Sequence, residues 1–158
     1  MSTQTQRSLI IMKPDAVQRS LLGEIITRFE RKGLKIMGLK MANVSDVLLD
    51  EHYSHLKDKP FFADLKKFMK HSPVVLMAVE GIEVIDAIRI IVGPTAGHKA
   101  DAGSIRGDFS LSTQSNIVHA SDSVENGEIE IKRFFKEDEL FTYKKVDEHL
   151  VFSEHLLE

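Results

Sequence analysis

The segment Pro73-Val-Val-Leu-Met-Ala-Val79 is apolar at almost every position. A short, nearly continuous apolar run rich in β-branched residues predicts a central strand of a sheet. A second run, Ser8-Leu-Ile-Ile-Met-Lys13, is stopped by Pro14 and predicts another buried strand. Two such strands far apart in the chain demand helices to cover them.

The helices are legible from spacing. Leu22, Ile25, Ile26 and Phe29 recur at i, i+3, i+4, i+7, so residues 21–32 predict an amphipathic helix, with Gly33 as its stop. Leu34 to Val44 alternates as a strand with one irregularity near Gly38. Residues 45–57 and 61–70 are short helical patterns separated by Pro60, the first opening on the capping pair Ser45-Asp46. Ile82, Ile85, Ile88 and Val92 mark a further helix, Asn116–His119 a short strand, and Ser123–Phe135 the last helical pattern. From Lys136 the chain is charged and aromatic with no clear period. Residues 93–115 hold four glycines and Pro94 among polar residues, a long irregular loop of the kind that carries function. The order predicts an α+β fold: a ferredoxin-like βαββαβ antiparallel four-stranded sheet with helices on one face, a helical insertion and that long loop.

Composition narrows the class. The chain has 158 residues, 42% hydrophobic and 28% charged, as expected of a single globular domain over 1–158. Twenty-one Lys and Arg against 24 Asp and Glu leave a net charge of −3, which removes the simplest signature of a nucleic-acid binder. There is no Cys, so disulfides, thiolate catalysis and Cys-based metal sites are excluded, and a reducing compartment fits. The polar start, Met1 to Ser8, has no apolar core of a signal peptide, and no apolar run approaches the roughly 18 residues of a membrane span. A soluble cytoplasmic protein is expected.

Seven histidines are candidates for chemistry. His52 and His55 stand i, i+3 on a predicted helix; with no third ligand at a matching spacing they read as a solvated face rather than a metal site. His149 and His155 read as surface residues. His119 differs, because it ends a short apolar strand in Asn116-Ile-Val-His-Ala-Ser-Asp122. An imidazole of ordinary pKa, about 6.5, is a competent nucleophile near neutral pH. Its neighbours alone leave it open between a catalytic and an ordinary polar residue. Lys13, Arg89 and Arg106 sit at the ends of elements beside the Gly-rich loop. Each reads singly as a surface charge; together they could converge on a polyphosphate, which the guanidinium fork binds bidentately. Gly93-Pro-Thr-Ala-Gly-His-Lys-Ala100 departs from a phosphate-binding P-loop, and no G-x-G-x-x-G exists. A nucleotide would have to be held by side chains, with Tyr53, Phe61 and Phe62 as stacking candidates.

From about Arg7 to Tyr143 the sequence resembles the nucleoside diphosphate kinase family. The segments that carry it are Lys13-Pro-Asp-Ala-Val17, Phe29-Glu-Arg-Lys-Gly-Leu34, His52-Tyr53, Pro60-Phe61-Phe62, Gly93-Pro-Thr95, Ser104-Ile-Arg-Gly-Asp-Phe109 and Asn116-Ile-Val-His-Ala-Ser-Asp122. The resemblance implies ping-pong transfer of a γ-phosphate from nucleoside triphosphates to diphosphates, with His119 phosphorylated in between. It implies that Lys13, Arg89, Thr95, Arg106 and Asn116 hold phosphates and ribose, and that Phe61 stacks on the base. Tyr53 and Glu130 would support the histidine, with Ser121 linked to Glu130. Mg²⁺ would arrive with the nucleotide phosphates, so no metal residues are assigned. A homo-oligomer, tetramer or hexamer, is implied as well. Four features depart from the family. Ala120 replaces a usual Gly, Ser115 a frequent Arg, and residues 96–104 lack two prolines that stiffen the loop; the tail, 144–158, is also atypical.

Two other readings compete. A catalytically silent nucleotide-binding regulatory module on the same fold would be favoured by loss of His119, Lys13 or Arg106, and none is lost. A ferredoxin-like RNA-binding domain would need aromatics on its strands, and Ser8–Lys13 and Val74–Val79 contain none.

Overall fold

The computed structural model describes residues 5–153; His155 and the start of the chain, Met1–Gln4, lie outside them. Among the described residues four strands form one antiparallel sheet. They are β1 (Thr5–Met12), β2 (Lys35–Ala42), β3 (Val74–Ile82) and β4 (Val118–Ala120), in the order β2-β3-β1-β4. The two apolar runs are thus the two inner strands, paired from Thr5 opposite Ile82 to Met12 opposite Val75. Their apolar stretches, residues 9–12 and 74–79, are buried where water is excluded from both faces.

Both faces are in fact covered, which corrects the expectation of helices on one side. Val75, Met77 and Val79 pack with Ile25 and Phe29 of α2 (Leu22–Arg31) and with Ile88 of α5 (Val84–Val92). Val74, Leu76 and Ala78 point the other way. They pack with Leu49 of α3 (Asp46–His52), Leu65 and Met69 of α4 (Phe62–Met69), and Ile131 and Phe134 of α7 (Val124–Phe134). The helical insertion and the last long helix therefore form a second layer. Gly127 lets α7 lie directly on β1, because a Cβ there would run into the Arg7 carbonyl.

Order appears after the first strand and within the loop. Pro14 opens a short helix, α1 (Pro14–Gln18), and the loop contains α6 (Ile105–Phe109). Ser104 caps α6, its Oγ accepting from Gly107 N at 3.0 Å. The expected irregularity of β2 is a bulge between Ile36 and Gly38. It frees the Met37 carbonyl, which accepts from Phe141 N at 2.8 Å, while Tyr143 Oη donates to Ile36 O at 2.7 Å. A Cβ on Gly38 would lie 2.9 Å from the Glu139 carbonyl, so glycine lets the tail cross here. The tail runs on to a single turn, α8 (Glu148–Val151).

Candidate active site

β1 and β4 bring the site together. His119 pairs with Ile11 and Val118 with Met12, so Lys13, the next residue, projects beside β4. The chain enters β4 through a γ-turn centred on Ile117, where Val118 N donates to Asn116 O at 2.8 Å. Ile117 has φ of +76°, a left-handed conformation costly for a β-branched residue, on the order of 1–3 kcal/mol. The surroundings enforce it: Ile117 N donates to Asp15 Oδ2 at 3.0 Å, and its carbonyl accepts from Lys13 N at 2.8 Å.

This turn sets Asn116 against Lys13, whose Nζ donates to Asn116 Oδ1 at 2.6 Å. Asn116 Nδ2 in turn donates to Thr95 O at 2.9 Å. Burial, reinforced by the neighbouring Arg106 guanidinium, lowers the Lys13 pKa to about 8. Arg106, on α6, donates to Gly93 O, Asn116 O and Val118 O at 2.9, 3.2 and 2.7 Å. It therefore ties the end of α5, the γ-turn and β4 into one block. Burial lowers its pKa to about 10, which leaves it charged at neutral pH.

His119 Nε2 lies 2.5 Å from Glu130 Oε2 of α7. A carboxylate only accepts, so Nε2 carries the proton and Nδ1 keeps the lone pair. Glu130 is buried, while the His119 ring is partly exposed.

The ten residues singled out from the sequence line one cleft of about 1100 Å³: Lys13, Tyr53, Phe61, Arg89, Thr95, Arg106, Asn116, His119, Ser121 and Glu130. Phe61 sits on its exposed rim. Arg89 is exposed, its Nη2 3.4 Å from Asp122 O. Two expected links are not formed. Tyr53 Oη donates to Met69 Sδ at 3.9 Å, not to the histidine, because the phenol points into the second core. Ser121 Oγ accepts from Leu9 N at 3.0 Å, and among the described residues no hydrogen bond joins it to Glu130. Its hydroxyl secures the edge of the sheet instead.

His52 is the residue that sequence reasoning missed. It is not solvated: it is buried, with its ring edge-on to His119 at 4.6 Å between centroids. The signal was its spacing from Leu49, since i and i+3 share a helix face and Leu49 is core. His55 is exposed, as expected. His52, His119 and Glu130 have donor atoms within 4.8 Å of one another, the spacing of a metal triad. However, Arg133 Nη1 donates to His52 Nδ1 at 3.2 Å, occupying a lone pair that a metal would need and adding positive charge. The three groups are arranged for hydrogen bonding.

The comparisons agree with one another. Residues 6–140 match the family model described as Nucleoside diphosphate kinase. The chain is 53% identical over 139 residues to the nucleoside diphosphate kinase of Parabacteroides distasonis, covering 88% of this chain and 91% of that one. The structure of the Halobacterium salinarum nucleoside diphosphate kinase in complex with CDP superposes with a TM-score of 0.92 at 38% identity, over 95% of this chain and 100% of that one. A Borrelia burgdorferi nucleoside-diphosphate kinase, solved as a transition state mimic with bound vanadate and ADP, gives 0.86 at 36% identity, over 92% and 96%. Among the described residues no helix is long and apolar enough to cross a membrane.

Proposed function

The chain belongs to the nucleoside diphosphate kinase family, and we propose that His119 is the side chain through which it passes the γ-phosphate from a nucleoside triphosphate to a nucleoside diphosphate. The observation that carries this reading is the 2.5 Å contact of His119 Nε2 with Glu130 on the wall of a cleft that also holds Lys13 and Arg106. With Nε2 engaged, Nδ1 is the nucleophile. Its lone pair forms the N–P bond as the bond from the γ-phosphorus to the β–γ bridging oxygen breaks, and the diphosphate leaves with that electron pair. The ring gains positive charge, which the Glu130 carboxylate offsets. In the return half-reaction a β-phosphate oxygen of the acceptor attacks phosphorus, and the electrons of the N–P bond return to Nδ1. One site thus serves donor and acceptor in turn, the definition of ping-pong exchange.

Phosphoryl transfer demands in-line placement and neutralisation of the equatorial oxygens rather than acid–base chemistry. Lys13, Arg89 and Arg106 supply positive charge, and Mg²⁺ enters as part of the substrate, bound to its phosphates. Asn116, bonded to Lys13, and Thr95, whose carbonyl accepts from Asn116 Nδ2, hold phosphate or ribose in this reading. Phe61 offers a π face, which stacks on any base, so broad nucleotide use follows. Tyr53 supports the histidine through His52, on which it packs edge-on at 4.6 Å. Ser121 helps by fixing β4 to β1. The silent-module alternative is not favoured, since the nucleophile and its carboxylate partner are both present. The edge strand β2 exposes Leu39 and Met41, which supports assembly into a tetramer or hexamer. The cytoplasm is the setting the cysteine-free sequence fits.

Incubation with γ-labelled ATP and Mg²⁺ is expected to give an acid-labile, base-stable phosphoprotein, and added diphosphate to remove the label. An absence of label on the wild-type chain would end the proposal. A pH dependence follows from Lys13. Its folded pKa is depressed to about 8, so the free enzyme carries the charge below that pH and loses it above. kcat/KM is expected to fall above pH ~8, and the limb in kcat to lie higher because bound phosphate restores the proton. A kcat/KM profile flat through pH ~9.5 would remove Lys13 from phosphate binding.

A further inference from the structure

His52 is a buried titratable group that the transfer itself does not use. Its side chain is 2% exposed, and it is held neutral by burial first, with the Arg133 guanidinium acting in the same direction. Its ring is clamped edge-on by Tyr53, His119 and Phe134 at 4.6, 4.6 and 5.0 Å. His52 Nδ1 lies 3.4 Å from Glu130 Oε2, the same oxygen that His119 Nε2 reaches at 2.5 Å. Two imidazoles therefore converge on one acceptor atom. If both carried a proton towards it, the weaker contact would compete with the one that orients the nucleophile.

Arg133 decides between them. It projects from α7 one turn beyond Glu130, with its Nε anchored on Glu51 Oε1 of α3 at 3.0 Å and its Nη1 3.2 Å from His52 Nδ1. A guanidinium has only donors and does not deprotonate in proteins. His52 Nδ1 must then accept, so its proton sits on Nε2, a buried atom with no hydrogen-bond partner. In that tautomer His52 has nothing to donate to Glu130.

Resting on the reading of His119 as nucleophile, we propose that Arg133 is a positioning residue that locks His52 in its Nε2–H tautomer and so reserves Glu130 Oε2 for His119. The groups facing His52 are Glu51 and His55 from its own segment, Glu130 and Arg133 from α7, His119 from β4, and Lys13 at the end of β1. Of these Arg133 alone donates to Nδ1.

The full chain labelled with ¹⁵N-histidine tests this directly. The wild-type His52 spectrum is expected to show an unprotonated Nδ1 and a protonated Nε2; the reverse would overturn the proposal. Arg133→Leu is expected to slow single-turnover phosphorylation by about tenfold, the scale of one misdirected hydrogen bond, with little change in nucleotide KM. Arg133→Lys keeps a cationic donor and restores most of the rate. In the His52→Phe background, Arg133→Leu is expected to add no further loss, because the competing donor is already gone. An Arg133→Leu rate equal to wild type, or the same loss with phenylalanine at position 52, would overturn the proposal. Should Arg133→Leu fail to fold, the wild-type spectrum and the lysine variant still decide. Absence of phosphoenzyme on the wild type would instead strike the assignment of His119 and leave the His52 tautomer to be read separately.

Discussion

Replacing His119 with alanine is expected to abolish the phosphoenzyme and lower turnover on the order of 10⁴-fold or more, the scale on which an enzyme loses its covalent nucleophile. Among the described residues, His52 and His55 are the other histidines that line the cleft, and neither can stand in. His52, the nearest imidazole, is buried and gives its Nδ1 to Arg133. His55 is exposed and not part of the sheet that orients the site. The loss has to be separated from unfolding. Alanine removes the hydrogen bond that His119 gives the Glu130 carboxylate, a cost of about 1–3 kcal/mol for a buried acceptor. His119→Gln keeps an amide donor of similar length, so it should recover most of that stability and none of the activity. Thermal unfolding and phosphoprotein gels on both variants check this. Exchange that persists in either folded variant would show that the carrier is a different residue.

Much of the fold was legible because it follows from local pattern. The runs at Ser8 and Pro73 predicted buried strands and are the two inner strands of the sheet, and the spacing of Leu22, Ile25 and Phe29 matches α2. The expected irregularity near Gly38 is a bulge. What was hidden depends on contacts distant in sequence. The second helical layer follows from the need to cover Val74, Leu76 and Ala78, yet periodicity cannot say which helices do so. The γ-turn runs against local preference, since Ile117 at positive φ is held by Asp15 and Lys13, about a hundred residues earlier. At the site, the residue types were readable and the bonds were not. Ser121 and Tyr53 lie in the cleft but turn to Leu9 and Met69. Arg133 sat unremarked in a helical pattern, because a single Arg on α7 gives no sign that it meets a histidine 81 positions away.

Arg106→Ala carries the other large effect, and the structure makes it twofold. The guanidinium has five N–H donors; three already serve the carbonyls of Gly93, Asn116 and Val118, leaving two for a phosphate. Alanine would strand those carbonyls and slacken the γ-turn, whose strain persists only while its surroundings hold it. A stability loss of roughly 2–3 kcal/mol is expected, which lowers the unfolding midpoint by roughly 5–10 °C in a chain of this size. Turnover should fall about 10²–10³-fold through loss of charge at the transferring phosphoryl group and misplacement of Asn116. Because the phosphates are common to all substrates, kcat/KM for adenine, guanine, cytosine and uracil nucleotides should drop by one factor, measured well below the new midpoint. Arg106→Lys retains the charge but not the fork, so it should regain little of either quantity. A loss confined to one base would place Arg106 at the base and not at the phosphates. Unchanged stability would mean that the block formed by α5, the γ-turn and β4 holds without it.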